Sequence, residues 1–179
     1  MRQKILIGHL VVLLALILNL FNPTFGVPKK VYAKEIKHEI PQEDPKRREK
    51  DLLYNFFTSL SCPISGLTDT FIEVSTKYSL DWRLLPAIAV KESTCGKRSF
   101  YFNPFGFGAG YFDEGKYRFS SFEEAIEYVG SAISGANPKE RSFNKAGGEV
   151  ERILWIYNGT VNPNYPKSVI NIMDQIGTR

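Results

Sequence analysis

Apolar residues run almost unbroken from Ile5 to Phe21, and beyond them the hydrophobic pattern breaks into short amphipathic stretches. At 1.5 Å per helical residue the first run reaches about 25 Å, slightly short of a ~30 Å hydrocarbon core. Arg2 and Lys4 precede it, and Val31-Tyr32-Ala33 offers small residues ahead of Lys34. A positive start, an apolar run and a small-residue end make residues 1–33 a signal peptide. The long interval from Phe21 to Ala33 leaves an uncleaved N-terminal membrane anchor as the alternative. Either way, the rest of the chain is expected outside the cytoplasm, secreted to the cell wall or held at the outer face of the membrane.

Residues 34–50 are dense in charge, contain Pro41 and Pro45, and hold few apolar side chains. Such a stretch buries no core and reads as a solvated linker, so the folded domain is expected over 51–179. Leu52, Leu53, Phe56, Phe57 and Leu60 then recur at helical spacing. A second helix is predicted from Thr68 to about Ser79. A third runs from Trp82 to Glu92 with Asp81 as N-cap, although Pro86 sits awkwardly inside it. Tyr111-Phe112 and Tyr117-Arg118-Phe119 flank Asp113-Glu114-Gly115-Lys116, which predicts a short β-hairpin. Ser121 with Glu124 predicts a capping box opening the helix FEEAIEYVGSAI. Asn137 to Gly148 reads as a polar loop, and helices over about 149–157 and 165–176 close the domain. The predicted class is α+β, predominantly α, with a small β-hairpin lobe.

Charge changes the picture once it is localised. Four of the 23 basic residues and none of the 19 acidic ones fall within 1–33, so the remainder balances at 19 of each. The alkaline balance belongs to the leader, which removes the case for binding nucleic acid. The membrane is a partner only through the N-terminal segment, if that is uncleaved.

The two histidines, His9 and His38, lie in the leader and the linker. A domain without histidine excludes Ser-His and Cys-His nucleophiles and the usual zinc sites, and no cofactor or metal is expected. Cys62 and Cys95, in an oxidising compartment and without a base, read as a structural disulfide, with a reactive thiol as the alternative.

Carboxylates remain. Glycosidic cleavage needs a carboxylic acid kept protonated near neutral pH, and burial among apolar groups achieves that. Glu92 follows the most apolar helix, Ala87-Ile88-Ala89-Val90, and precedes Ser93-Thr94-Cys95-Gly96, where a helix ends. A carboxyl at a helix C-terminus also meets the negative end of the dipole, which favours its neutral form. A surface glutamate beside Lys91 is the competing reading. A second carboxylate is harder to place: Asp113 and Glu114 fall at the predicted turn, and Glu123 and Glu124 suit helix capping.

The segment DWRLLPAIAVKESTCGK, residues 81–97, resembles the helix that carries the acid in lysozyme-like glucosaminidases. These are the mannosyl-glycoprotein endo-β-N-acetylglucosaminidase-like domains, related to lytic transglycosylases and goose-type lysozyme. Asn103-Pro104-Phe105-Gly106 resembles the family's Asn-x-Phe-Gly turn, and Arg118 to Ile126 resembles its strand-to-helix junction. Tyr157-Asn158, followed by Tyr165 and Val169, resembles its Tyr-Asn block. The likeness covers about residues 61–177. It implies a lysozyme-like fold in which Glu92 is the general acid and Tyr157 and Asn158 line the cleft near the reacting sugar. Members of this family often manage with one acid, the substrate's own acetamido group or 6-hydroxyl attacking the sugar centre.

The expected function is therefore an endo-β-N-acetylglucosaminidase-type glycosidase cleaving β-1,4 bonds of peptidoglycan glycan strands. A lytic transglycosylase on the same bonds, or a non-catalytic cell-wall-binding module of the same fold, is the alternative. Glu92 is the expected catalytic residue. Ser93, Asn103, Phe105, Tyr111, Tyr157 and Asn158 are the expected substrate-binding residues, and Tyr101 is a further aromatic placed to stack on a sugar ring.

Overall fold

Asp44 caps the first helix by accepting from the Lys46 backbone N–H at 3.0 Å, and proline occupies the first turn, where its missing donor costs nothing. A computed structural model of the protein describes residues 44–177, without the side chains of 112–114. The predicted signal peptide and residues 34–43 of the predicted linker lie outside the described residues. The first helix, α1 (Pro45–Ser59), takes in residues 45–50 that the charge pattern assigns to the linker. Those residues are mostly exposed, so their helicity follows from the cap and from propagation of the amphipathic turn that buries Leu53, Phe56 and Phe57. The Lys50–Asp69 ion pair joins this end of α1 to the next helix at 2.5 Å.

A 3₁₀ turn, Ser65–Leu67, leads into α2 (Thr68–Lys77), followed by α3 (Leu84–Ser93), α4 (Phe122–Ile133), α5 (Val150–Leu154) and α6 (Tyr165–Gly177). Helix α3 buries Leu84 through Ala89 on all sides, as a central helix must, and packs most extensively on α6. It begins two residues later than the sequence predicts. Asp81 does not cap it: its carboxylate accepts from the Arg83 backbone N–H at 2.9 Å and pairs with the Arg83 guanidinium at 2.7 Å. The later start also removes the conflict at Pro86, which now lies in the first turn, where backbone donors have no intrahelical acceptor.

The predicted hairpin is absent. Ala109–Glu114 forms a 3₁₀ helix, and the described residues hold no strand, only an isolated bridge between Phe100 and Asn103. Two local facts displace it. Tyr117 takes the left-handed region at φ 56°, which no extended strand tolerates, and the Phe119 N–H donates to Tyr101 O at 3.0 Å instead of to a partner at 111–112. The fold is therefore mostly helical, with an irregular aromatic lobe over residues 99–121.

Ser121 caps α4 by accepting from the Glu124 N–H at 3.2 Å. The reciprocal bond goes one residue further back, with the Ser120 N–H donating to Glu124 Oε2 at 2.7 Å. The polar loop after α4 contains its own 3₁₀ turn, Arg141–Lys145, which buries Phe143. Helix α4 lies close to α2 at Gly130, where a Cβ would stand 2.5 Å from Val74 Cγ1. Val74 is buried and stiff at χ1, so it has nowhere to move. Gly130→Ala is expected to destabilise by about 1–3 kcal/mol, despite alanine's better helix propensity. A lower urea midpoint with an unchanged slope checks this.

Candidate active site

Glu92 occupies the last full turn of α3, and the chain that follows is held tightly. Thr94 and Cys95 adopt left-handed conformations at φ 54° and 53°, and Cys95 is bonded to Cys62 in a disulfide. Consecutive non-glycine residues in this region are costly, and packing has to hold them there. The Cys95 N–H donates to Ala89 O at 3.0 Å, and the bridge ties the turn to the chain just after α1.

Opposite the acid stands the loop 103–107, built by three side chains that bond its backbone. Asn103 is 2% exposed. Its Nδ2 donates to Phe107 O at 2.8 Å, while its Oδ1 accepts from the N–H groups of Phe105 and Phe107 at 3.3 and 3.2 Å. The Ser93 hydroxyl donates to Pro104 O at 2.6 Å and accepts from the Gly96 N–H at 2.7 Å, joining the loop to the end of α3. The Tyr157 hydroxyl donates to Phe105 O at 2.7 Å. The loop so fixed sets Gly106 against the acid: a Cβ there would stand 3.4 Å from Glu92 Oε2, and φ is 60°, a glycine conformation.

The carboxyl itself lacks the partners that stabilise charge. Glu92 Oε1 is buried with no hydrogen-bond partner, and so is the Tyr165 hydroxyl that faces it. Burial is the main cause that raises the Glu92 pKa above the ordinary carboxylate value. The neighbouring Tyr165 hydroxyl and the Lys91 charge oppose the shift without cancelling it. The effect is reciprocal: burial, with contributions from Tyr157 and Glu92, pushes the Tyr165 phenol far up. The Tyr157 and Tyr165 rings stack nearly parallel, 6.0 Å apart.

From Gly106 a cleft of about 270 Å³ opens past Phe107, Tyr111, Glu140, Ser142 and Tyr157. Tyr111 is half exposed along it, and Tyr157 and Asn158 are carried on a single π turn, Trp155–Gly159, that widens the helix after α5. Asn158 is half buried. The larger groove between α1 and α2, about 600 Å³ and lined by Asp44, Lys46, Lys50, Asp69 and Glu73, lies on other elements and contains neither the acid nor its loop.

The sequence-predicted residues thus divide into two groups. Tyr111 and Tyr157 line the cleft, Glu92 lies against Gly106 at its lining, and Asn158 is half buried next in sequence to Tyr157. Ser93, Asn103 and Phe105 are buried beneath the cleft, where they shape the loop and do not face a ligand. Tyr101 is exposed on the aromatic lobe with the Arg118 guanidinium 4.4 Å from its ring centre. Of the candidate second carboxylates, the side chains of Asp113 and Glu114 lie outside those described, and Glu124 is engaged with Ser120. Glu140, which no motif marks, lines the cleft. Its Oε1 accepts from the Tyr117 and Tyr128 hydroxyls at 2.9 and 2.8 Å. Burial, followed by this bond, pushes the Tyr117 phenol up to about 12.

Tyr165→Phe separates the two parts of the Glu92 environment. The phenol partly lowers the Glu92 pKa, so its removal raises that pKa further. A reaction that needs the protonated acid slows as pH rises through this value. The alkaline limb of the kcat/KM profile is therefore expected to move to higher pH in the variant. A profile shifted to lower pH contradicts the arrangement.

Comparison of the chain with known protein families, with curated proteins and with solved structures finds no match in any of the three.

Proposed function

We propose that this chain is a peptidoglycan-cleaving glycosidase of the lysozyme-like class, with Glu92 as general acid. One observation carries the reading: a half-buried carboxyl, raised in pKa and with one oxygen buried and unpartnered, sits against Gly106, which itself lines an aromatic cleft. An uncharged carboxyl in that position protonates the oxygen of a departing sugar, and the C–O bond to the anomeric carbon breaks as the proton is transferred. The exposed ring of Tyr111 offers a face for a sugar ring, which suits a glycan more than a peptide.

The helical framework also supports a lysozyme-like fold, since the acid lies at the end of a central helix and the stacked pair Tyr157 and Tyr165 comes from the C-terminal helices. The disulfide agrees with export, where such bonds persist. Purified protein incubated with bacterial walls is expected to release soluble glycan fragments. Mass spectrometry of their ends names the nucleophile. A reducing end on N-acetylglucosamine means water attacked, as in an endo-N-acetylglucosaminidase, and an anhydro end means the substrate's own 6-hydroxyl attacked, as in a lytic transglycosylase. Wall binding with no released fragment makes the protein a binding module and overturns the proposal.

A further inference from the structure

Residues 108–117 form no strand and only the single 3₁₀ segment Ala109–Glu114, yet they carry the Tyr111 ring that lines the cleft. Tyr117 packs them down. Its ring lies so close on Gly108 that a Cβ there would collide with it. Its centre is 5.4 Å from that of Phe107 and 6.2 Å from that of Tyr111. Gly108 O accepts from the Tyr111 N–H at 2.9 Å, so the ring that covers Gly108 also covers the start of the turn that displays Tyr111.

This placement strains the backbone. Tyr117 is held at φ 56°, a left-handed conformation that residues with a side chain adopt only where their surroundings impose it. It is gripped at both ends: Asn103 Nδ2 donates to Tyr117 O at 3.3 Å, and the Tyr117 hydroxyl donates to Glu140 Oε1 at 2.9 Å. Asn103 belongs to the lobe itself, whereas Glu140 is an anchor outside it. The Asn137 N–H donates to Ser131 O on α4 at 2.9 Å, and the Glu140 N–H donates to Asn137 O at 3.0 Å, which fixes the glutamate to that helix. The same Oε1 accepts from the Tyr128 hydroxyl of α4 at 2.8 Å. Glu140 thus takes two phenols of unlike standing. Tyr128 is set by its own helix; Tyr117 is set by this bond.

We propose that Glu140 is a positioning residue for substrate binding: through the Tyr117 hydroxyl it holds the turn 108–111 so that the Tyr111 ring lines the cleft. The proposal deepens the glycosidase reading above and rests on it for the substrate class, a glycan strand with a sugar ring on Tyr111. What Glu140 supplies is an acceptor oxygen, which the amide oxygen of glutamine also provides.

The test compares Glu140→Ala, Glu140→Gln, Tyr117→Phe and Tyr128→Phe in the full chain, each also combined with Glu92→Gln so that binding is read on uncut strand. The probe is soluble wall glycan stripped of peptides, with its dissociation constant measured by calorimetry. Tyr117→Phe and Tyr128→Phe each remove one hydroxyl from the same carboxylate oxygen and keep the ring, so a merely structural role moves the two affinities alike. The positioning role weakens binding by roughly five- to tenfold in Tyr117→Phe and Glu140→Ala, and by less than about twofold in Tyr128→Phe. Glu140→Gln is expected to recover the parental affinity. In strand cleavage the loss is expected in KM more than in kcat, because Ser93, Asn103 and Tyr157 hold the loop facing Glu92 without Glu140. Tyr117→Phe reads the contact even where Glu140→Ala fails to fold. Equal losses in the two tyrosine variants, parental affinity in Tyr117→Phe, a glutamine variant as weak as the alanine one, or a parent that binds no glycan each overturns the proposal. Failure of the glycosidase reading alone has a different signature: the parent cleaves no strand while the asymmetry between the tyrosine variants persists.

Discussion

Glu92→Gln is expected to reduce cleavage of wall glycan by roughly 10³-fold or more while leaving the fold intact. Glutamine keeps the size of the side chain and its fit against Gly106, so the substitution removes the proton donor and little else. Thermal stability gives a second, independent readout. Burial raises the folded-state pKa of Glu92 above its unfolded value, so the folded chain holds that proton more tightly. The sign follows: stability conferred by protonated Glu92 is present at low pH and is lost as pH rises through the folded-state value. Glutamine never ionises. The variant should therefore match the parent in acid and exceed it in stability as pH rises, because the unfolded parent gives up its Glu92 proton more readily than the folded one. Full activity in the variant, or a melting temperature that falls relative to the parent as pH rises, contradicts the assignment.

Breaking the Cys62–Cys95 bond is expected to have the largest effect on stability. The bridge closes a separation of 33 residues, and constraint of the unfolded chain at that length stabilises by roughly 3–4 kcal/mol. Both cysteines are buried, so Cys62→Ala/Cys95→Ala also leaves small voids. A drop in melting temperature of about 10–15 °C is expected. Activity is expected to decline before unfolding does, because the left-handed residues Thr94 and Cys95 directly follow the turn that holds Glu92. Without the bridge those conformations relax, and the acid moves relative to Gly106. Treatment of the parent with a thiol reductant gives the same comparison without mutation, and an unchanged melting curve contradicts it.

Period and caps predict helices well here because each depends on neighbours in sequence. The spacing from Leu52 to Leu60 and the Ser121 cap are of this kind, and both correspond to helices. The hairpin between Tyr111 and Phe119 is not local in the same sense. Alternating aromatics look like a strand pair, yet the left-handed turn at Tyr117 and the bond from Phe119 back to Tyr101 are set by packing that no short window contains. The site divides along the same line. Glu92 stands out because the apolar run before it announces burial. Asn103 stands out as a polar residue among aromatics, but its task, bonding its own loop, is visible only once Phe105 and Phe107 fold back on it. Glu140 carries no mark at all, since its significance comes from Tyr117 and Tyr128, brought to it by the aromatic lobe and by α4.

Ser93, Asn103 and Tyr157 all grip the main chain of the loop facing the acid, and none of them bonds its side chains. The scaffold around the proton donor is thus insulated from the identity of the rings displayed nearby. Phe100, Tyr101 and Tyr111 are exposed on the lobe, outside that scaffold. A designer wishing to retarget the protein to a different sugar polymer has, in that exposed fringe, a surface to randomise without retuning the chemistry beneath.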